Sequence, residues 1–246
     1  MLPRFYAPDL DREHASVVLP PDEARHLTRV LRLRAGDEVA VFDGRGAEFR
    51  AIVEAAVRET ASLRLMEPLP APRVPAVQIV VVQAVLKGDS MDDAVRDATM
   101  MGAEGIEPIL TAHTDVKPSF ARRPQTVERW RRVALAAVKQ SRRSTLPVIH
   151  QPRSFDEWIA TPSGAMKLLF VEPSAGGVQR PLKSLLEHRV PAHAAVLVGP
   201  EGGWAPAEVD SALRSGCIGV TLGPFTLRAE SMPLAALAAL AAIWDA

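Results

Sequence analysis

A proline-rich stretch divides the chain into two parts that have different sequence patterns. Residues 68–75 read PLPAPRVP and hold four prolines in eight positions. Because proline lacks a backbone N–H and fixes φ, such a stretch is disfavoured in helices and sheets and forms a stiff, extended linker. The sequence therefore predicts a linker over 68–75, a small domain over 1–67 and a larger domain over 76–246.

The part before the linker has the pattern of a small, mainly β domain. Short apolar runs with partial alternation predict four strands, at 15–19, 38–42, 48–54 and 62–66. The sequence Asp43-Gly44-Arg45-Gly46 predicts a tight hairpin turn between the second and third of them. Pro21 and the residues 24–33 that follow it predict a short helix. These elements together predict a barrel-like module.

The part after the linker alternates between strand and helix patterns. Compact apolar runs predict strands at 77–85, 107–110, 168–171, 194–198 and 219–222. The stretches between them are long enough for crossover helices, which the pattern predicts at 90–101, 126–141, 206–215 and 233–244. Strands that alternate with helices in this way are typical of an α/β domain with a parallel sheet.

Composition narrows the class of protein. The chain has 246 residues, of which 48% are hydrophobic, and can therefore bury a sizeable core. Cys217 is the only cysteine, which excludes an internal disulfide and a cysteine-rich zinc site. We expect no bound metal. The sequence shows neither an apolar run of the roughly 18 residues that span a membrane nor a secretory signal, so we expect a cytoplasmic protein.

Charge is unevenly distributed along the chain. Residues 117–153 hold ten Lys and Arg residues and one acidic residue, whereas residues 196–246 hold two arginines and five acidic residues. A basic strip of this kind indicates contact with a polyanion, although a solvent-exposed charged helix face over 126–141 is the alternative. The adjacent Arg122-Arg123 and the extension Gln140-Ser141-Arg142-Arg143 favour RNA phosphates.

Three glycine- or proline-bearing loops follow predicted strands. Residues 198–203, VGPEGG, come directly after one strand, and residues 222–231, LGPFTLRAES, come after the next. Residues 170–177, FVEPSAGG, follow a third. Such loops either are plain turns or surround one flat ligand, because ligands bind at the carboxyl ends of parallel strands. Arg228 and Glu230, which lie in an otherwise apolar stretch, either pair with each other or serve that site.

The order of these motifs resembles the SPOUT methyltransferases, and most closely the bacterial 16S rRNA uracil-N3 methyltransferases of the ribosomal small-subunit methyltransferase E family. The resemblance covers almost the whole chain and rests on GPEGG, on LGPxxLRAE and on a series of short segments. These segments are Arg4-Phe5-Tyr6, His26-Leu27-Thr28-Arg29-Val30-Leu31-Arg32, Gly36-Asp37, Phe42-Asp43-Gly44, Lys87-Gly88-Asp89, Glu128-Arg129-Trp130 and Gln140-Ser141-Arg142-Arg143. It implies a carboxyl-terminal trefoil knot, a PUA-like RNA-binding domain, a homodimer, and S-adenosylmethionine as the methyl donor.

The resemblance also assigns roles to residues. It implies that the donor is held by Val171, Glu172, Val198, Gly199, Pro200, Glu201, Gly202, Leu222, Gly223, Leu227, Arg228 and Ala229. Together with the basic strip, it leads us to expect RNA contacts from Arg4, His26, Arg29, Arg32, Lys87, Arg122, Arg123, Gln140, Arg142 and Arg143. For His26 an ordinary surface role is the alternative. We expect Trp204 to border the donor site.

Two departures from the family pattern stand out. Where the family has a lysine followed by a Glu-Leu-Gly run, this chain has Asp97 and then Met100-Met101-Gly102. Where the family continues Glu-Thr-Ala, this chain has Glu230-Ser231-Met232. The second departure alters the lip of the expected donor site.

The predicted function is transfer of a methyl group from S-adenosylmethionine to N3 of a uridine in 16S ribosomal RNA, free or in the small subunit. The uracil N3–H is weakly acidic, so its proton must leave during attack. Glu230 is the candidate base, and Arg228 is the candidate for stabilising the uracil anion. The alternatives are methylation of another RNA position by the same fold, and an inactive RNA-binding homologue.

Overall fold

The computed structural model describes residues 2–70, 74–173 and 180–244, which form two compact units. The first unit comprises Met1–Arg73 and Val138–Leu146, and the second comprises Val74–Ala137 and Pro147–Ala246. Residues 71–73 of the predicted linker and residues 174–177 of the third predicted loop lie outside the described residues. The predicted boundaries of the two domains stay a prediction.

The first unit is built on a five-stranded sheet. Its strands are β1 (Arg4–Tyr6), β2 (Ser16–Val18), β3 (Glu38–Phe42), β4 (Glu48–Val57) and β5 (Thr60–Pro68). Their order in the sheet is β1-β3-β4-β5-β2, and each neighbouring pair is antiparallel except β1 and β3. A small, mainly β first unit confirms the sequence prediction. The sequence pattern missed β1 because a three-residue strand with one buried side chain, Phe5, shows no alternation.

The predicted helix of this unit is shorter than the sequence suggests. It consists of α1 (Pro21–Arg25) and one π-helical turn over His26–Val30. The Leu31 amide donates to the carbonyl of His26, five residues earlier, which defines that turn. Arg32 then adopts a φ of 55°, a left-handed conformation that a helix does not continue through.

The hairpin turn at Asp43–Gly46 confirms its prediction. The Asp43 carboxylate accepts hydrogen bonds from the amides of Arg45 and Ala47, at 2.7 and 3.0 Å. Gly44 and Gly46 have φ values of 75° and 109°, which glycine adopts without strain. The turn therefore aligns β3 with β4 through its own side chain and its two glycines.

The second unit contains a parallel sheet of eight strands among the described residues. They are β6 (Gln78–Ala84), β7 (Gly105–Leu110), β8 (Val148–Ile149), β9 (Arg153–Ser154), β10 (Met166–Phe170), β11 (Arg180–Pro181), β12 (His193–Val198) and β13 (Ile218–Thr221). The order is β11-β13-β10-β12-β6-β7-β8, with β9 also paired to β7. This parallel α/β sheet confirms the predicted fold class. The trefoil knot stays a prediction.

Helices connect these strands. They are α2 (Asp89–Met100), α3 (Pro118–Ala121), α4 (Pro124–Ser141), α5 (Phe155–Ile159), α6 (Pro206–Arg214) and α7 (Met232–Trp244), with a 3-10 helix over Leu182–Glu187. Within the described ranges, no helix is long and apolar enough to cross a membrane.

Both faces of the central strands are buried, which explains their continuous apolar runs. Along β12, Val196 and Val198 belong to one core cluster, whereas Leu197 lies in the other. Successive side chains of a strand point to opposite faces, so a strand covered on both sides is apolar at most of its positions. The core therefore fixes the position of β12, including that of its last residue, Val198.

Arg4 joins distant segments of the first unit through a fully used guanidinium group. Its Nε and Nη2 donate to the two carboxylate oxygens of Glu48, at 2.8 and 3.0 Å. Nη1 donates to the carbonyls of Val138 and Lys139, both at 3.1 Å, and Nη2 to that of Arg143 at 2.7 Å. The last carbonyls of a helix have no partner within it, so Arg4 supplies the missing donors at the end of α4.

Replacing Arg4 tests this network. Arg4 and Glu48 are only 10% and 11% exposed, so Arg4→Ala leaves a largely buried carboxylate without its partner. We expect the free energy of unfolding to fall by about 3–5 kcal/mol, measured by urea denaturation. The control is Arg29→Ala, which removes an exposed ion pair with Glu59 and is expected to change stability by about 0–1 kcal/mol. Equal effects of the two variants would contradict the structural role of Arg4.

Candidate active site

The parallel pairing of three strands brings the predicted loops to one edge of the sheet. Strand β10 lies between β12 and β13, with Phe170 opposite Val198 on one side and Val220 on the other. The three strands therefore end at nearly the same height, and the described residues that follow them lie side by side. This arrangement converts motifs far apart in the sequence into one site.

These loops enclose a cavity of about 460 Å³, here called the loop cavity. It is lined by Ser90, Phe170, Val171, Glu172, Val198, Gly199, Pro200, Glu201, Gly203, Trp204, Thr226, Leu227, Arg228, Ala229, Glu230 and Met232. Its volume is within the range of about 300–1,000 Å³ that is typical of small-molecule sites.

Most residues that were expected at the donor site line this cavity. They are Val171, Glu172, Val198, Gly199, Pro200, Glu201, Leu227, Arg228 and Ala229, joined by the candidate catalytic residue Glu230. The lining does not include Gly202, Leu222 and Gly223. A Cβ built on Gly202 would lie 3.1 Å from Cβ of His113, so this glycine allows close packing on His113. The direct effect of a substitution at Gly202 would therefore be on this packing, and any effect on the loop cavity would follow from it.

Ser90 is a residue of the lining that the sequence analysis missed, whereas Phe170, Gly203 and Thr226 lie in the three predicted loops. Ser90 lies in the first turn of α2, directly after β6, which pairs with β12. Ser90 can be assigned to the cavity only once β6 is known to lie beside β12, and the sequence does not reveal this strand order. Met232 shows that the second departure from the family pattern does lie at this site.

Trp204 forms a wall of the loop cavity, as expected. Its Nε1 donates a hydrogen bond to the carbonyl of Phe170 at 2.9 Å, and its ring packs 5.7 Å from that of Phe155. A Cβ built on Gly199 would lie 3.0 Å from Nε1 of Trp204. Any side chain at position 199 therefore displaces the Trp204 ring or the loop that carries Gly199.

Acidic groups dominate the charge of the cavity. Glu172, Glu201 and Glu230 line it, and among the residues that the structure describes Arg228 is the one basic residue of the lining. Nη1 of Arg228 lies 3.8 Å from Oε1 of Glu230, and their side chains are 86% and 19% exposed. The expected pair is thus present but loose, so most of the Arg228 guanidinium remains free to contact a ligand.

A backbone contact fixes the position of Glu201. Its Oε1 accepts a hydrogen bond from the amide of Lys87 at 3.1 Å. This bond links the loop after β12 to the segment between β6 and α2. The Lys87 ammonium is 2.6 Å from Asp115, and this hydrogen bond raises the pKa of Lys87.

The residues that were expected to contact RNA lie in both units. Lys87, Arg122 and Arg123 belong to the second unit, and the others belong to the first. In the first unit His26, Arg29, Arg32, Gln140 and Arg142 are exposed.

Two of the expected RNA contacts are engaged inside the first unit. Arg4 is held by Glu48 and the end of α4, so its guanidinium has no free donor to offer a phosphate. Arg143 is half-buried, which lowers the pKa of its guanidinium, and its Nη2 lies 3.4 Å from Oγ1 of Thr145. The geometry of both residues indicates a structural role.

The basic strip is partly neutralised within the second unit. Arg129 contacts the carboxylates of Asp89 and Asp92, both at 2.5 Å, and these hydrogen bonds raise the pKa of Arg129. Nε of Arg122 donates to the carbonyl of Pro152 at 3.2 Å. Its other nitrogen Nη2 lies 3.8 Å from Glu157. The charge excess counted along the sequence therefore overstates what this unit offers to a polyanion.

Family comparisons agree with this architecture. A family model described as an RNA methyltransferase domain matches residues 73–241, and one described as an RNA methyltransferase PUA domain matches residues 19–66. The fold and the site thus define an RNA methyltransferase that carries a PUA-type domain at its N-terminal end.

Individual relatives narrow the class. The ribosomal RNA small subunit methyltransferase E of Synechocystis sp. is 32% identical over 94% of this chain and 74% of its own length. The protein of the same name from Mycobacterium bovis is 31% identical over 98% and 93%. The crystal structure of the Neisseria gonorrhoeae protein of that name, bound to S-adenosyl methionine, has a TM-score of 0.88 and 30% identity over 99% of this chain and 98% of that one. This chain belongs to the ribosomal RNA small subunit methyltransferase E family, as the sequence resemblance predicts.

Proposed function

We propose that this protein transfers the methyl group of S-adenosylmethionine to N3 of a uridine in the 16S RNA of the small ribosomal subunit. The observation that carries the proposal is the loop cavity, in which the GPEGG and LRAE segments meet at the ends of β12 and β13. Family membership supplies the substrate class. We also propose, from the resemblance, a cytoplasmic homodimer.

The cavity suits the methyl donor in size and charge. S-adenosylmethionine carries a sulfonium and an ammonium group, and the bound donor supplies an activated methyl group. Glu172, Glu201 and Glu230 provide negative charge for these cationic groups. The ring of Trp204 and the buried Val171 and Val198 offer apolar surface for the adenine, and exposed backbone groups of the loops provide hydrogen bonds.

Arg228 and Glu230 have different roles toward the acceptor base. Removal of the N3 proton leaves negative charge on the uracil, and an exposed guanidinium at the cavity is suited to stabilise it. Glu230 is only 19% exposed and its Oε1 lies 3.8 Å from Nη1 of Arg228, so it is placed to orient the guanidinium. We therefore assign anion stabilisation to Arg228. Glu230 is its positioning residue and the candidate proton acceptor.

RNA contacts are assigned to the exposed basic residues. In the first unit these are Arg29, Arg32 and Arg142, with His26 and Gln140 beside them in the sequence pattern. In the second unit they are Lys87, Arg122 and Arg123. Arg4 and Arg143 are assigned to the fold, because their donors are used within the first unit.

The function is tested by nucleoside analysis of small-subunit RNA from a strain that lacks the gene. We expect 3-methyluridine to disappear from this RNA and to return with the intact gene, whereas other methylated nucleosides keep their levels. Loss of a ribose-methylated nucleoside or of another methylated base would show a different acceptor and overturn the N3 assignment.

Gly199→Ala tests the donor site. The new Cβ meets the Trp204 ring at 3.0 Å, and overpacking of this kind typically costs about 1–3 kcal/mol. We expect the affinity for S-adenosylmethionine, measured by calorimetry, to fall by about tenfold or more. The matched control is Gly164→Ala, whose Cβ has nothing within 4 Å. If both variants bind the donor as tightly as the unmodified protein, the loop cavity is not the donor site.

Arg228→Ala tests the stabilisation of the anion. We expect the single-turnover rate constant to fall by about 10²–10³-fold while donor affinity stays within about threefold, because only interactions that strengthen in the transition state accelerate the step. The rate should also rise from neutral to alkaline pH, as the N3 proton becomes easier to remove. The exposed Arg214 provides the control variant Arg214→Ala, which should leave both quantities unchanged.

Two outcomes would contradict this mechanism. A fall in donor affinity that matches the fall in rate would make Arg228 a donor-binding residue. A flat pH profile, with the methyl transfer step shown to limit the rate, would rule out proton loss from N3 and point to another acceptor atom.

A further inference from the structure

A second cavity lies beside the loop cavity, and the only role assigned above to a residue of its lining is the RNA contact of Arg123. It encloses about 650 Å³ between the end of β6, the first turn of α2 and the segment that leads from α3 into α4. The residues that characterise it are Leu86, Gly88, Met91, Phe120, Arg123 and Trp130. We call it the α2–α4 cavity. All of these residues belong to the second unit.

The cavity combines an apolar floor with an exposed aromatic wall. Leu86, Met91 and Trp130 are buried, whereas Phe120 is 51% exposed. A large aromatic side chain that lines a cavity and leaves half of its surface in water is available for stacking. The guanidinium carbon of Arg123 lies 5.2 Å from the centre of the Phe120 ring. An aromatic ring with a neighbouring guanidinium is the arrangement that proteins use to bind unpaired bases.

The charge at this cavity favours a polyanion over a protein partner of ordinary composition. Residues 116–127, which form its outer wall, contain Lys117, Arg122 and Arg123 and no acidic residue. Arg129, also in the lining, is already paired with Asp89 and Asp92. No ion pair involving Arg123 is found among the described residues, so its guanidinium can contact a phosphate without giving up a carboxylate.

The two cavities share one short loop. Gly88 lines the α2–α4 cavity and Ser90 lines the loop cavity, so their Cα atoms are at most about 7.6 Å apart. The Lys87 amide in the same loop donates to Glu201 of the loop cavity. The second cavity is therefore within reach of an RNA strand that has one nucleotide at the loop cavity.

We propose that the α2–α4 cavity binds the base of a second, unpaired nucleotide of the same RNA strand. The base stacks on Phe120, and Arg123 contacts an adjacent phosphate. This proposal rests on the proposed function, since it takes the RNA strand to be the substrate. A base must leave its stack before its N3 can react, and stacking of a second nucleotide on the protein offsets part of the free energy lost.

Two substitutions at position 120 separate aromatic stacking from apolar bulk. Phe120→Leu keeps an apolar side chain, and Phe120→Tyr keeps the ring. With small-subunit RNA that lacks the methyl group as the probe, we expect Phe120→Leu to weaken equilibrium RNA binding by about tenfold and Phe120→Tyr to restore it. The salt dependence of binding and the affinity for S-adenosylmethionine should stay the same in both variants. Because Phe120 is half exposed, neither change should lower the melting temperature appreciably.

Arg123→Gln tests the phosphate contact. We expect weaker RNA binding and a plot of log affinity against log salt whose slope is smaller by about one. The control is Arg214→Gln, at an exposed position on α6 away from both cavities, which should leave the slope unchanged.

The outcomes distinguish this proposal from the proposed function. RNA binding that is unchanged in Phe120→Leu overturns the stacking site even when methylation of N3 proceeds normally. If the molar mass of Phe120→Leu, measured by sedimentation without RNA, is lower than that of the unmodified protein, the cavity instead receives a second copy of the chain. Phe120-dependent RNA binding by a protein that methylates no N3 position would support the cavity and overturn the proposed function.

Discussion

The functional architecture depends on the parallel pairing of β12, β10 and β13. These strands come from separate parts of the sequence, and β10 is inserted between two strands that follow it in the chain. Both faces of β10 and β12 are buried in two core clusters, and Val220 of β13 belongs to one of them, so the positions of the strands are fixed by the core and not by the loops themselves. The loops can therefore vary in sequence and still meet at one edge. An active site made of such loops inherits the rigidity of the sheet below it.

Close packing at the edge then gives the loops their shape. Gly199 lies against the indole of Trp204, and Gly202 lies against His113, so two neighbouring glycines make room for two different side chains. Trp204 is in turn held by the carbonyl of Phe170, in the strand next to β12. The loop after β12 is thus braced by other elements of the same unit. This bracing is what preorganises the cavity before any ligand binds.

Much of this could be predicted from the sequence, because it depends on local pattern. The apolar runs of β6 and β12 reveal buried parallel strands, and the GPEGG segment reveals the loop that follows β12. The roles of Gly202 and Arg4 could not be predicted in this way. Gly202 resembles its neighbours in the sequence, and only its contact with His113 shows that it faces away from the cavity.

The structural role of Arg4 could not be predicted from the sequence for a related reason. Its partners lie 44 residues away at Glu48 and more than 130 residues away in the segment after Val138. In the sequence, Arg4 is a single arginine, and nothing near it indicates these distant hydrogen bonds. The same limit applies to Arg129, whose charge is matched by Asp89 and Asp92 of α2. Counting charges along a sequence identifies a basic strip, but tertiary pairing decides which of its members are free.

The proposed activity is methylation of N3 of a uridine, with the loop cavity holding the donor. The most direct measurement is to incubate the purified protein with isotopically methyl-labelled S-adenosylmethionine and unmodified small-subunit RNA, digest the RNA to nucleosides, and identify the labelled product by mass spectrometry. We expect the label to appear in 3-methyluridine, at one position of the RNA. Label in a 2′-O-methylated nucleoside or another methylated base, or no transfer by folded protein that binds both donor and RNA, would contradict it.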